Sequence, residues 1–446
     1  QAVQALKPHI NWRQDFEAAA MLNEKIDLPT VGLRTWATGT TLLPGWLNIA
    51  RFTLPVLTLG LFIGWLMGYV PGWLVLAAIA GHGTLLKQFS HTTKLVSEQT
   101  HDIAQSLADF ADLFRFVESA PGDSILLTDL RKQLQAGQST ASVAVHKLAT
   151  LVENFNFRRN PYFYLFIGLP SLWDAHYLVA LNHWRAQYGP VLGDWFSALA
   201  EAEALNSLAG FAHAHPNYVQ PELLEDEAIH IDAEQVAHPL ILPGRAVANS
   251  LTFDGTGKTT LITGSNMSGK STFLRTIGLN VILAQAGAVV AAQRFVCSPV
   301  QVYTSMRTQD SLEENTSSFY AELKRLRTLI QLTQGNSEVA LPSKQSPSEL
   351  PVLYFLDEIL KGTNSADRHK GAEALIRQLH RTNASGFVST HDLELGQLGE
   401  SVDFVANYHF QSDIDEGKVT FDYQLRPGIC QSFNASQLMK AIGIEL

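Results

Sequence analysis

The run Gly264-Ser265-Asn266-Met267-Ser268-Gly269-Lys270-Ser271, followed by Thr272, sets a lysine and a hydroxyl directly behind two spaced glycines. This is the G-x-x-x-x-G-K-[ST] pattern of a phosphate-binding loop. Glycines let successive backbone N–H groups turn toward a polyphosphate, and a helix N-terminus adds its partial positive charge. Lysine in this position neutralises β- and γ-phosphates, and the serine hydroxyl offers a ligand to Mg²⁺. The context fits, because an apolar strand, Thr260–Thr263, precedes the loop and a helical run begins at Thr272. Residues Gly264 to Thr272 are therefore expected to bind ATP. A rival site, Gly255-Thr-Gly-Lys258-Thr, lacks the earlier glycine and comes before a strand, so it reads as a turn.

Two further clusters complete the chemistry. Val352-Leu-Tyr-Phe-Leu-Asp357-Glu358 is an apolar run that ends in paired carboxylates. Such a run is a buried central strand that delivers charge at its tip. Asp357, with Ser271, is expected to hold Mg²⁺, and Glu358 to orient and deprotonate the attacking water. Gly386-Phe-Val-Ser-Thr390-His391 is a second apolar strand with a polar end. Parallel strands bring their C-terminal ends to one edge, so His391 is expected beside the terminal phosphate as a catalytic residue.

The elements that must position these groups follow from the pattern. After a proline- and acid-rich stretch at Pro216–Glu227, short β-branched runs alternate with helical ones, the mark of an α/β domain. Residues 92 to 213 instead read as helix, with apolar residues at three-and-four spacing in 101–116, 141–155 and 184–211. Gln334 to Pro351 reads as a surface loop. Phe52 to Leu86 contains no Asp, Glu, Lys or Arg over 35 residues and is broken by Pro71-Gly72. Each half, at about 17 residues, is roughly 26 Å as helix, close to a thin hydrocarbon core. Arg34, Arg51, Lys87 and Lys94 flank the run, and Trp46, Trp65 and Trp73 lie near its ends and turn. This predicts a transmembrane helical hairpin with both ends in the cytoplasm. The alternative is a helical hairpin buried in a large soluble core.

Composition bounds the function. Charged residues make up only 17% of the 446, apolar residues 46%, and the net charge is −10. That balance argues against a dedicated nucleic-acid binder. The two cysteines, Cys297 and Cys430, have no metal-like spacing. The expected fold class is α plus α/β: a helical, lever-like core domain followed by an ABC-type P-loop ATPase domain, with the hairpin near the start. The expected boundaries are 1–47 for a partial core segment, 48–90 for the hairpin, 91–228 for the helical core and 229–446 for the ATPase domain. The chain does not begin with Met, so a preceding segment is expected.

Taken together, the motifs resemble those of the MutS mismatch-repair family. Ile262–Thr272, with Asn-Met inside the loop, is similar to that family's phosphate loop, Asp357-Glu358-Ile-Leu-Lys-Gly362-Thr363 to its acid pair, and Ser389-Thr390-His391 to its switch histidine. Asp310–Phe319 resembles its Ser-Thr-Phe signature, with Ser318 in place of Thr. Weaker echoes are His238-Pro-Leu240, Val247-Ala-Asn249, Leu172-Trp-Asp174, Glu201–Ala209 and the opening Gln1–Leu6. The resemblance implies ATP and Mg²⁺ as cofactors and a homodimer formed through the ATPase domains. It also implies that Ser317, Ser318, Gly362 and Thr363 reach the partner's ATP. Ser317 reads equally as a helix N-cap.

The departures narrow the expectation. The mismatch-reading domain has no counterpart. The triplet Phe116-Val-Glu118 resembles its wedge but falls in a helical run. The DNA-embracing clamp has no counterpart either, and the apolar hairpin stands in its place. DNA binding is therefore expected to be weak and not mismatch-specific, with residues 52–86 in a membrane and the ATPase domain in the cytoplasm. Two other readings stay open. A transporter-type ATPase needs a Leu-Ser-Gly-Gly-Gln signature, and no Gly-Gly-Gln occurs. An ATP-gated tether with no DNA role would not need Glu358.

Overall fold

The computed structural model describes residues 1–21, 30–39, 43–100, 104–137, 139–225, 228–242, 244–306, 318–334, 350–415 and 418–430. The chain divides into two compact units, Gln1–His213 and Ala214–Leu446. Residues 214–225, assigned from sequence to the helical domain, belong to the second unit. Their backbone pairs there: Val219 bridges Val290, and Glu222-Leu223 runs beside Val296-Cys297. The prolines and acids of this stretch, read from the sequence as a boundary, lie within the second unit. The loop expected at 334–351 lies largely outside the described residues.

The first unit is helical. Its elements are α1 (Ala2–Leu6), α2 (Ile10–Met21), α3 (Thr30–Thr38), α4 (Leu47–Leu66), α5 (Gly72–Gln88), α6 (Ser90–Thr100), α7 (Ala104–Glu118) and α8 (Ile125–Gln133). A two-residue ladder, β1 (Gln135–Ala136) with β2 (Ser139–Thr140), leads to α9 (Ala141–Asn156), α10 (Pro161–Phe163) and the 42-residue α11 (Trp173–Ala214). The apolar stripe of α11 buries Leu178, Leu181, Trp184, Leu192 and Trp195. Trp184 donates its indole N–H to the Ala144 carbonyl at 2.7 Å, and Trp195 meets Phe114 edge-on. The Phe116-Val-Glu118 triplet ends α7. The Glu118 carboxylate accepts from the backbone and hydroxyl of Ser142 at 2.8 and 2.6 Å, which caps α9. Its role is structural.

Both halves of the charge-free run form helices, α4 and α5, that pack on each other. Neither is covered along its length: Leu57, Leu59, Ile63, Trp73 and Leu76 are exposed. Among the described residues, α4 alone is long and apolar enough to cross a membrane. The second half is 17 residues long. Pro55 sits inside α4 without ending it.

The second unit carries two sheets. The smaller orders β3 (Glu222–Leu223), β7 (Arg294–Cys297), β4 (His230–Val236) and β5 (Asn249–Asp254). The larger has the order β12-β11-β6-β10-β9-β8, from β6 (Thr259–Thr263), β8 (Gln301–Ser305), β9 (Val352–Asp357), β10 (Ser385–Thr390), β11 (Val405–Asp415) and β12 (Lys418–Pro427). All are parallel except β12. Strands β6, β9 and β10 are buried on both faces, as their continuous apolar runs require. Leu353 and Phe355 pack with Phe273 and Ile277 of α12 (Lys270–Gln285). Tyr354 and Leu356 face the other way, into Leu375 and Leu379 of α14 (Ser365–His380). Helix α13 (Ser318–Thr333) packs on β8, and the short α15 (Leu393–Gly396) and α16 (Leu398–Ser401) follow β10. Gly255 and Gly257 form the turn between β5 and β6, so the rival glycine-lysine site is a connection between the two sheets that precedes a strand.

Candidate nucleotide site at the strand ends

Register brings the three motifs together. Ser389 pairs with Ile262 on one side and with Asp357 on the other, so β6, β10 and β9 end level. The loop after β6 becomes the first turn of α12, with Gly269 at its N-cap in the left-handed region (φ 107°). A Cβ there would lie 3.1 Å from the Tyr423 ring, so both backbone and neighbour require glycine.

Lys270 is almost fully buried and donates to the carbonyls of Gly264 and Ser265 at 2.9 and 2.8 Å. Burial pulls its amine down to about 8, although the nearby Asp357 opposes this. Ser271 donates to Asp357 Oδ1 at 2.9 Å, so the two expected Mg²⁺ ligands face each other. The hydroxyls of Ser265 and Ser268 are buried with no partner among the described residues. A cavity of about 990 Å³ opens above, lined by residues of the loop together with Val247, Asp357 and Tyr423. A lysine, orphaned hydroxyls and a hydroxyl–carboxylate pair suit a nucleotide polyphosphate with its Mg²⁺.

Glu358 stands just beyond β9 with φ 52°, and its N–H donates to both the carbonyl and the hydroxyl of Ser389 at 3.1 Å. Its carboxylate pairs with Lys361 and with His391 Nε2. The carboxylate at Nε2 and the Gly264 carbonyl at Nδ1 both only accept, so the two compete for the imidazole proton. His391 Nδ1 lies 3.0 Å from the Gly264 carbonyl and 3.4 Å from the Lys270 amine. Burial first, then the Lys270 charge, lowers the His391 pKa below the ordinary imidazole value. His391 thus links the phosphate loop to the carboxylate pair.

Three contributors went unassigned in the sequence. Ser389 donates to Asp357 Oδ1 while accepting from Glu358 N–H, which holds both acids. Tyr423, with φ 57°, presents its ring beside Gly269, and Asn249 fixes its backbone through bonds to Tyr423 O and Leu425 N–H. Glu322 of α13 is buried and accepts from the N–H of Leu360. No local pattern marks any of them, because each matters through a partner distant in sequence. Gly362 packs against Phe319, where a Cβ would lie 2.5 Å from that side chain. Ser317 lies outside the described residues, as does the side chain of Ser318. Thr363 follows Gly362 in the turn before α14, which Asn364 caps.

A mostly parallel sheet with a glycine-lysine loop, a carboxylate pair and a histidine at its strand ends has the arrangement of a P-loop nucleotide-binding domain. Residues 260–444 match the model of MutS domain V. The chain is 33% identical to DNA mismatch repair protein MutS 1 of Halobacterium salinarum over 258 residues, 57% of this chain and 28% of that protein. It is 32% identical to the MutS of Lactobacillus acidophilus over 259 residues, 56% of this chain and 28% of that one. With the MutS of Chloroflexus aurantiacus it shares 31% over 240 residues, covering 52% and 23%. The second unit is thus similar to the domain V region of MutS proteins, and the match spans about a quarter of the length of these relatives.

Two predictions follow from the geometry. Phosphate binding needs the charged Lys270, whose pKa in the free site is about 8. Bound phosphates raise that value, so binding above pH 8 takes up a proton and affinity falls as pH rises. Calorimetry at pH 9 in buffers of different ionisation enthalpy should detect this uptake, and none at pH 6.5. Glu322→Ala should leave the Leu360 N–H unpaired, at a cost of about 1–3 kcal/mol. Turnover should fall with ATP affinity retained, and Glu322→Gln, which keeps an acceptor oxygen, should restore much of it.

Proposed function

We propose that the chain binds and hydrolyses ATP with Mg²⁺, dimerises through its ATPase domains, and couples nucleotide state to movement of its helical core. The observation that carries this reading is the junction of Lys270, Ser271, Asp357, Glu358 and His391 at level strand ends. Lys270 exchanges its bonds to the Gly264 and Ser265 carbonyls for phosphate oxygens. Ser271 and Asp357 hold Mg²⁺, which supplies charge neutralisation at the phosphates. Gly269 and the first turn of α12 present backbone N–H groups to the polyphosphate. The base lies on the Tyr423 ring, which forms a flat wall next to the loop. Glu358 takes the proton of the attacking water once it is released from Lys361, and His391 holds its carboxylate in line. Phe319 and Glu322 connect the opening of α13 to the loop 360–362, which suits a signature element that reports a neighbour's nucleotide.

The relatives are described as DNA mismatch repair proteins. Any DNA contact of this chain is weak and not mismatch-specific, because the net charge is −10 and the basic residues of the helical unit, such as Arg131, Lys132 and Lys147, are scattered among acids. The exposed α4–α5 hairpin is read as a bilayer anchor, with the ATPase domain on the side of the hairpin's two ends. Its charge-free faces, its length, and the exposed Trp46, Trp65 and Trp73 support this. That hairpin also favours a second reading, an ATP-gated membrane tether without a DNA role.

Glu358→Gln should bind ATP normally, slow hydrolysis by about 10²- to 10⁴-fold and accumulate an ATP-bound dimer in light scattering. Normal turnover in this variant would place the base elsewhere. In filter-binding titrations near physiological salt, single-mismatch and matched duplexes should differ by less than about tenfold, or 1.4 kcal/mol. A larger preference restores a repair-sensor role.

A further inference from the structure

Residues 160–173 form a second run without Asp, Glu, Lys or Arg, preceded by Arg158-Arg159 and followed by Asp174. Fourteen residues are too few to cross a bilayer as helix, and a run of that length suits an interfacial or re-entrant segment. The backbone here is irregular. A 3-10 turn at Phe157–Arg159 leads to α10, then to a wide π-type turn at Tyr164–Gly168 before α11. Its outer side presents Tyr162, Leu165, Phe166 and Ile167, with Phe166 72% exposed. Left in water, such a cluster would be an unfavourable apolar patch.

The polar backbone of this turn is nevertheless closed on itself. Asn160 accepts from the N–H groups of Tyr162 and Phe163 at 3.0 and 3.2 Å. Leu169 N–H reaches Tyr164 O at 2.7 Å, and Ser171 donates both its N–H and its hydroxyl to Ile167 O. The Leu169 carbonyl faces His82 Nδ1 of α5 at 3.2 Å, and His82 Nε2 meets the Thr58 hydroxyl of α4 at 3.2 Å. Both side chains are buried between the three segments. Irregular backbone is tolerated at membrane depth only where its polar groups are satisfied in this way.

The same contacts set the depth. Thr58 lies about 16 Å along α4 from Leu47, and His82 about 9 Å along α5 from Gln88, at 1.5 Å per residue. Leu169 therefore stands well inside the apolar span of the hairpin, on the side of its two ends. Tyr164 and Leu169 pack there with Leu47, Leu86 and Leu172, which makes the outer apolar surface continuous with that of α4 and α5. At the base of the turn Arg159 is exposed, while Arg158 pairs with the buried Asp174 at 3.1 Å. Arg159, Lys87 and Lys94 suit anionic headgroups.

We propose that residues 161–171 are a re-entrant segment immersed in the leaflet nearest the hairpin's ends, so that the lipid anchor has three parts. This inference rests on the reading of α4–α5 as a bilayer hairpin. The test uses the full chain in vesicles of phosphatidylcholine and phosphatidylglycerol, with an environment-sensitive fluorophore on Leu59→Cys, Phe166→Cys or Val143→Cys. Leu59 reports the hairpin, and Val143, exposed on α9, reports water. Cys297 and Cys430 are buried, and the unaltered chain gives the labelling background. Labels at Leu59 and Phe166 should both shift to the blue and lose most of their emission to a nitroxide-bearing lipid, while Val143 should not. Quenching at Leu59 with a water-like signal at Phe166 overturns the re-entrant segment alone. Water-like signals at both positions overturn the hairpin and the segment with it.

Discussion

The candidate nucleotide site depends on one hydroxyl at the end of one strand. Ser389 donates to Asp357 and accepts from the backbone of Glu358, while its own strand lies between those of the phosphate loop and the acids. A parallel ladder leaves little freedom for slippage once both faces are buried, because a one-residue shift turns every side chain to the wrong face. Burial of β6, β9 and β10 on both sides is thus what holds a lysine, a carboxylate pair and a histidine within bonding distance. Remove that register and the same residues are scattered polar groups at strand ends.

The charges of the site are balanced among themselves. Lys270 is held by backbone carbonyls and Glu358 by Lys361 and His391 before phosphate arrives. Glu358 and Leu360 both occupy the left-handed region, at φ 52° and 59°. Each such non-glycine residue costs on the order of 1–3 kcal/mol, which the surrounding structure must offset. Glu322 supplies part of that offset by accepting from Leu360 N–H. Because Glu322 lies one turn after Phe319, the loop behind the acids and the opening of α13 are mechanically joined.

The helical unit meets the opposite requirement. Its core is made by the buried stripe of α11 against α7 and α9. Its remaining apolar surface is carried outward on α4, α5 and the turn at 161–171. The His82 bridge shows how polar atoms are spent inside that surface: one imidazole satisfies a carbonyl that an irregular turn leaves free.

Much of this protein is determined locally. A phosphate loop needs its glycines and lysine adjacent in sequence, and a strand buried on both faces announces itself as an unbroken apolar run. The loop, the acid pair, the strand-end histidine, the helical character of 92–213 and the two helices of the charge-free run were all legible for that reason. The edge of the α/β unit was not, because Val219 and Leu223 become strand residues only by pairing with Val290 and Cys297, about 70 positions away. Ser389, Tyr423 and Glu322 were hidden for the same cause. A serine, a tyrosine on a β-hairpin and a glutamate on a helix are ordinary locally, and acquire a role only from what the fold sets against them. The run 160–173 falls within a stretch that reads as helix, and only the contact of Leu169 with His82 shows that it packs against the hairpin. Local covalent chemistry and hydrophobic periodicity are written along the chain. Contacts between distant residues depend on strand order and register, which no single segment encodes.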